Sequence, residues 1–219
     1  MHSTVKNLLD IDNNIKVHLK KLNINRKSKI IAVSKTFKID KILPLIDHGH
    51  IDFGENKVQE ASEKWKDIKK SNHQIKLHMI GKLQTNKVKY AVRIFDYIHS
   101  VDSAKLAKKI ADEQNKVNKK IKVFLQINIG GENQKSGINK AETNHMVAYC
   151  KEIGLDLIGL MCIPPANVDP NDYFEEMNRL NISFGFEDLS IGMSSDYLIA
   201  AKHFATYVRI GSSIFGHRS

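Results

Sequence analysis

Short apolar runs alternate along this chain with stretches whose apolar residues recur every three or four positions. Residues 29–34 read KIIAVS, the pattern of a β-branched strand buried on both faces, as in a parallel sheet. Asp40 can cap a helix carrying Leu43 and Ile46, with Gly49 placed to end it. Residues 51–53 form a second short run, and from Asn56 onward Val58, Ala61, Trp65 and Ile68 keep helical spacing. Further strands are predicted at 75–80, 94–99, 122–127, 155–160, 188–191 and 207–210. Between them fall a short helix at 84–91 and one capped by Ser103 that carries Leu106, Ala107, Ile110 and Val117. Asn139 can cap a helix carrying Met146, Tyr149, Cys150 and Ile153, which Gly154 closes. Asp169-Pro170 opens the next over Phe174, Met177 and Leu180, and Ser194 is placed to cap one over Tyr197, Ala200, Ala201 and Phe204.

Strands alternating with helices imply a parallel sheet with right-handed crossovers. Eight such units predict a (β/α)8 barrel, with a doubly wound open sheet as the alternative. An additional N-terminal helix precedes them, carrying Val5, Leu8, Leu9, Ile15, Leu19 and Leu22. No linker or repeat interrupts the pattern, so residues 1–219 are expected to form one barrel domain.

Composition narrows the function classes. The formal net charge is +10, but only five of the 34 basic residues are Arg, and the lysines are dispersed among acids. No arginine-rich or aromatic-interleaved tract exists, so nucleic acid is not the expected partner. No apolar run reaches the ~18 residues of a membrane span, and the N-terminus lacks the apolar core of a secretory signal. Cys150 and Cys162 lack metal-ligand spacing, and the ten histidines show no paired spacing on a helix. A reduced, cytoplasmic protein without a metal is expected.

A barrel carries its chemistry at the C-terminal ends of its strands. Lys35 follows the first strand directly. Partial desolvation there would lower its pKa and free the amine for attack on a carbonyl; alternatively it reaches the rim or pairs with an acid such as Glu55. After strands seven and eight come Gly192-Met193-Ser194 and Gly211-Ser212-Ser213, in the loops that recur as a phosphate site in this fold. Barrel closure would set Lys35 beside them. A carbonyl-reactive lysine next to a phosphate cradle is what pyridoxal phosphate requires. His99 reads as a satisfied core or rim residue rather than a catalytic base, and Cys162, Tyr149 and Met146 read as core residues.

The strand ends carry a stronger signal. Residues 31–35 (IAVSK), 53–56 (FGEN) and 78–87 (HMIGKLQTNK) resemble motifs of the pyridoxal phosphate homeostasis protein family. So do Gln126-Ile127-Asn128 with Glu132, Lys135 and Gly137, and Gly159-Leu160-Met161. Residues 189–196 (LSIGMSSD) and 209–216 (RIGSSIFG) complete the set, in order from about residue 30 onward. Departures are Lys57 where an aromatic is frequent, Leu77 where tryptophan is common, and Cys162 and Ser212 in place of threonines.

The resemblance implies the fold-type III barrel of the alanine racemase N-terminal domain. It implies Lys35 as the residue forming the internal aldimine, with Ser194, Gly211 and Ser212 on the phosphate. Arg209 would face either the phosphate or the pyridine nitrogen, and Asn56 the hydroxyl side of the cofactor. The implied role is intracellular homeostasis of pyridoxal 5′-phosphate without turnover, the partners being apo enzymes that use the cofactor. An amino-acid racemase is the alternative. Racemisation needs acid–base groups on both faces of the substrate carbon, and racemases of this fold draw a tyrosine from an added β domain. The chain ends three residues after Gly216, so no such domain is expected.

Overall fold

The structure is a computed structural model that describes residues 1–132 and 136–216. Lys135, one residue of the quoted motifs, lies outside them. Among the described residues the order is α1 (Ser3–Lys21), β1 (Lys29–Val33), α2 (Ile39–Asp47), β2 (Asp52–Glu55), α3 (Val58–Ser71) and β3 (Lys76–Met79). There follow α4 (Val88–Ile94), β4 (Tyr97–Val101), α5 (Ala104–Lys116), β5 (Lys122–Ile127), α6 (Thr143–Glu152) and β6 (Asp156–Cys162). The chain goes on through α7 (Asn171–Ser183), β7 (Asp188–Met193), α8 (Tyr197–Lys202), β8 (Tyr207–Ile210) and α9 (Ser212–Phe215).

The eight strands close in sequence order, every pair parallel. The seam pairs Lys29 with Tyr207 and Ile31 with Arg209, so β1 lies beside β8 and the open-sheet alternative falls. Side chains alternate across each strand. Ile30 and Ala32 therefore join the large apolar core under the helices, whereas Ile31 joins a small interior cluster with Phe124, Met161 and Tyr207. α1 packs on α2, α8 and α9, and Asn7 Nδ2 donates to the Ile214 carbonyl of α9 at 2.9 Å. It thereby covers the part of the shell that the four-residue α9 leaves open.

Several predicted details shift: Asp40, expected to cap α2, lies inside it behind the N-cap Lys38, and Pro170 rather than Asp169 holds the N-cap of α7. In α1 the buried stripe takes in Ile11, while Leu9 and Leu22 are exposed. In α2 the buried residues are Ile42 and Leu45, and Leu43 turns to solvent. The fourth strand starts at Tyr97, because α4 runs on through Ile94 and Phe95 N–H still bonds the Ala91 carbonyl. Asp96 then anchors the turn, accepting from Leu77 N–H at 2.8 Å and from Lys69 Nζ at 2.5 Å. Among the described residues no helix is long and apolar enough to cross a membrane.

Candidate functional site

One cavity of about 590 Å³ opens at the C-terminal ends of β1, β2, β7 and β8. Its lining includes all six residues singled out from sequence: Lys35, Asn56, Ser194, Arg209, Gly211 and Ser212. That volume falls within the ~300–1,000 Å³ typical of small-molecule sites.

Lys35 reaches the rim half-buried, one residue beyond the fully buried Ser34. Ser34 N–H bonds the Gly54 carbonyl at 2.9 Å and its hydroxyl donates to Glu55 Oε1 at 2.7 Å. The same Glu55 oxygen accepts from Trp65 Nε1 and Lys64 Nζ. Past Lys35, the Thr36 N–H donates to Glu60, and Phe37 stacks on Phe215 with ring centroids 4.9 Å apart. The turn carrying the lysine is thus held from β2, α3 and α9 together. Asn56 leaves β2 beside Gly81, where a Cβ would fall 2.5 Å from the Asn56 carbonyl oxygen. Only glycine allows that approach, which fixes the backbone presenting Asn56.

The loops after β7 and β8 meet at Ser194. Its hydroxyl oxygen accepts from Gly211 N–H at 3.3 Å and Ser213 N–H at 3.5 Å. Ser194 does not cap α8, as the sequence led one to expect. Asp196 holds that position, and its carboxylate instead accepts the Met193 N–H at 2.5 Å. The reason lies at Gly192, which has φ +89° and would place a Cβ 2.4 Å from Ala200 Cβ. The chain turns sharply there and carries Ser194 across to the last loop. Ser212 is exposed at the start of α9. A Cβ on Gly211 would meet Val33 at 3.4 Å, an ordinary contact, so no packing among the described residues demands glycine at that position.

Arg209 forms the floor. It is buried, and Nη1 donates to the Ser190 carbonyl and hydroxyl oxygens, each at 2.7 Å, while Nη2 donates to the Cys162 carbonyl at 2.9 Å. Among the described residues this leaves Nε–H and one Nη2–H of the guanidinium unbonded. Burial lowers the pKa of Arg209, opposed by the Cys162 thiol and Asp196. Burial pushes the Cys162 thiol up to about 12, which makes it an inert packing residue, as expected from sequence.

His99 is fully buried beneath Arg209 with both ring nitrogens engaged, by His78 at 2.9 Å and by Ser190 Oγ at 2.8 Å. Burial holds it well below the usual histidine range, reinforced by His78 and Arg209. Lys35 and Arg209 are the only ionisable side chains among the described residues lining the cavity. No group of three metal-ligating side chains exists among the described residues. Sequence reading missed Phe37, Ile163 and Ser195 in the lining. Phe37 and Ile163 are apolar loop residues with no chemical signature of their own; Ser195 stood within the quoted motif at 189–196, directly after Ser194, but was not singled out.

The alanine racemase N-terminal domain family matches residues 7–219. A pyridoxal phosphate homeostasis protein of Aquifex aeolicus (strain VF5) is 35% identical over 201 residues, covering 87% of each chain. Its counterpart in Escherichia coli (strain K12) is 36% identical over 199 residues, covering 86% of this chain and 85% of its own. Among solved structures, PipY of Synechococcus elongatus PCC7942 with PLP bound matches with a TM-score of 0.81 at 29% identity. That likeness covers 92% of this chain and all of PipY.

Proposed function

Since this chain belongs to the alanine racemase N-terminal domain family, we propose that it binds pyridoxal 5′-phosphate covalently through Lys35 and serves cofactor homeostasis without turnover. One observation carries the reading: an amine, a guanidinium and a convergence of N–H and hydroxyl groups line one cavity at the barrel seam.

The donor set fits the cofactor at each end. A phosphate near neutral pH carries nearly two negative charges and needs inward-facing donors. Gly211 and Ser213 N–H already point at one oxygen, Ser194 Oγ, and Ser212 adds a hydroxyl beside them. Val33, Ile80 and Met193 supply apolar wall for a ring. Arg209 sits on a strand with its guanidinium drawn toward Ser190 and Cys162, not toward the loop N–H groups. We therefore assign it to the ring nitrogen rather than the phosphate. Asn56, on the β2 side, takes the ring hydroxyl. When bound, the cofactor supplies an aldehyde that an amine can condense with, losing water. Lys35 is the amine in the lining.

The lining also supports a role without turnover. Racemisation needs a second acid–base group facing the substrate carbon, and beyond Lys35 the described lining offers only Arg209. A guanidinium at the ring nitrogen would also keep that nitrogen unprotonated and weaken it as an electron sink. The relatives named for pyridoxal phosphate homeostasis and the PLP-bound PipY support the same reading. The reading places the protein in the cytoplasm, with apo enzymes that use the cofactor as its partners, and residues 1–219 acting as one domain. Two buried free cysteines suit a reducing compartment.

The test is chemical. Borohydride reduction of the protein loaded with pyridoxal phosphate, followed by peptide mapping, should place the pyridoxyl adduct on Lys35. An adduct confined to other lysines would overturn the assignment.

A further inference from the structure

Barrel interiors of this kind are ordinarily filled with layers of branched apolar side chains. This one is crossed by a file of polar groups. Asp52 Oδ1 lies 3.1 Å from His78 Nε2; His78 Nδ1 lies 2.9 Å from His99 Nε2. His99 Nδ1 lies 2.8 Å from Ser190 Oγ, which accepts from Arg209 Nη1 at 2.7 Å. The five residues come from β2, β3, β4, β7 and β8. His78, His99 and Ser190 are fully buried, and the file runs unbroken from the cofactor cavity to the opposite mouth. There Asp52 lines a second cavity of about 330 Å³ with Lys29, His48 and His50.

The two ends of the file fix the protons between them. Arg209 can only donate and an ionised Asp52 can only accept. Ser190 already accepts from Arg209, so its one proton is available to His99 Nδ1. His99 then carries its proton on Nε2 and gives it to His78 Nδ1. His78 carries its own on Nε2 and gives it to Asp52. Every link has one donor and one acceptor, with both rings neutral and every donor pointing from Arg209 to Asp52. Packing holds the rings in place: His78 stacks on Tyr97 and His99 on Phe124, each with centroids 4.3 Å apart.

We propose that Asp52, His78, His99 and Ser190 form a one-directional hydrogen-bond relay that positions Arg209 in the cavity and ties it to the opposite mouth of the barrel. The four are positioning residues. Without the relay, Ser190 would be free to turn its hydroxyl, and the guanidinium would lose a fixed partner on its inner side. A buried polar file is costly when any member lacks a partner and rigid when all are satisfied, so its completeness makes it a device for orientation. The effect on cofactor binding rests on the reading of the cavity above; the relay itself does not.

Nitrogen-15 NMR of the full-length protein at neutral pH, with no cofactor added, tests the proton assignment. The ring signals of His78 and His99, assigned by their loss in His78→Gln and His99→Gln, should both show the neutral Nε2–H tautomer. An imidazolium, or an Nδ1–H tautomer at His99, would overturn the relay even if cofactor binds as proposed. Asp52, partly exposed at the far mouth, allows a milder variant. Asp52→Asn keeps an acceptor for His78 and should preserve both tautomers, whereas Asp52→Leu should redistribute them. Ser190→Ala should weaken both pyridoxal phosphate and phosphate-free pyridoxal by a similar factor, roughly tenfold, because the ring end is affected and the phosphate end is not. Unchanged tautomers in Asp52→Leu, or unchanged affinity for both ligands in Ser190→Ala, would overturn the positioning role. If neither ligand binds wild type at all, the cofactor reading fails and the tautomers alone decide the relay.

Discussion

The two faces of the barrel wall are built on opposite chemistry. Outward, each strand presents residues such as Ile30, Ala32, Phe53 and Leu77 to the helices, and the shell is mainly apolar, with a few buried polar groups such as Asn181 and Glu55, the latter bonded by Ser34, Lys64 and Trp65. Inward, the same strands present Asp52, His78, His99, Ser190 and Arg209 beside a small apolar cluster. The shell is specified by area removed from water, which tolerates exchange among apolar residues of similar volume. The interior is specified by matching each donor to one acceptor, which tolerates almost none. Stability is therefore drawn from the outer face, and the inner face is free to build a site.

The largest effect that would separate the two faces is a cavity in the shell. Phe174 of α7 is fully buried and does not line the cavity at the strand ends. Phe174→Ala should cost about 3–5 kcal/mol of stability, read by urea unfolding, while the folded protein keeps its affinity for pyridoxal phosphate. A large loss of affinity in protein that remains folded would show that the shell also shapes the site.

Acid should unsettle the interior before the shell. Burial lowers His99 well below the ordinary histidine value and lowers His78 despite the opposing Asp52 carboxylate. His50 and His203 are lowered by burial as well. A depressed folded-state pKa means that the unfolded chain takes up protons first. Stability is thus fully present above about pH 6.5 and is lost as pH falls from there toward the folded-state values, by at most ~1.4 kcal/mol per pH unit for each group. The carboxylates held below their ordinary range, Asp96 and Glu60 among them, act only at lower pH. Urea midpoints at pH 7, 6 and 5 should fall in that order; a flat or rising series would mean that these rings are not neutral in the fold.

The elements and the strand-end residues were legible in the sequence, and the illegible part has a physical cause. Runs such as KIIAVS fix a strand because both faces are covered, and Lys35 stands out because it follows such a run directly. Misread helix faces occur where apolar residues are adjacent, as with Ile42 and Leu43, so that the period is ambiguous locally and only packing decides it. The interior file was invisible for a different reason. His99 sits beside Ser100 at the end of the short strand predicted at 94–99 and Ser190 is a single polar residue between Leu189 and Ile191, and their bond spans 91 positions of sequence. No local pattern encodes such a pair; barrel closure creates it. Ser194 was placed in the site for the wrong local reason, since the cap belongs to Asp196 and the serine bridges two loops.

At the cavity, charge should matter more than packing. Ser212 is exposed and its side chain supports no core. Ser212→Asp should repel the phosphate and weaken pyridoxal phosphate by at least ~1.5–3 kcal/mol, the scale of a lost charge-assisted hydrogen bond. Stability of the protein without cofactor should be nearly unchanged. Pyridoxal, which lacks the phosphate, should bind wild type poorly and be far less affected. Titration by visible absorption reads all of these. Equal affinity of the variant and wild type for the phosphate form would move the cradle elsewhere on the rim, and Ser194 and Gly211 with it.

A small effect on stability is also expected at Gly211, and it sharpens the contrast most finely. Gly192, one loop away, is required by the fold itself: its φ is positive and a Cβ would strike Ala200. Gly211 has φ −116°, open to any residue, and among the described residues a Cβ there would only touch Val33. If its glycine serves the ligand rather than the fold, Gly211→Ala should change unfolding free energy by less than about 1 kcal/mol, partly offset by the lower entropy of the unfolded chain. The added methyl group should nevertheless reduce affinity for pyridoxal phosphate, because it stiffens the one turn whose N–H must align on the phosphate. Denaturant melts without cofactor and titrations with it separate the two contributions. A stability loss as large as that of a buried shell residue, with affinity intact, would assign Gly211 to the architecture and leave the phosphate to Ser194, Ser212 and the Ser213 N–H.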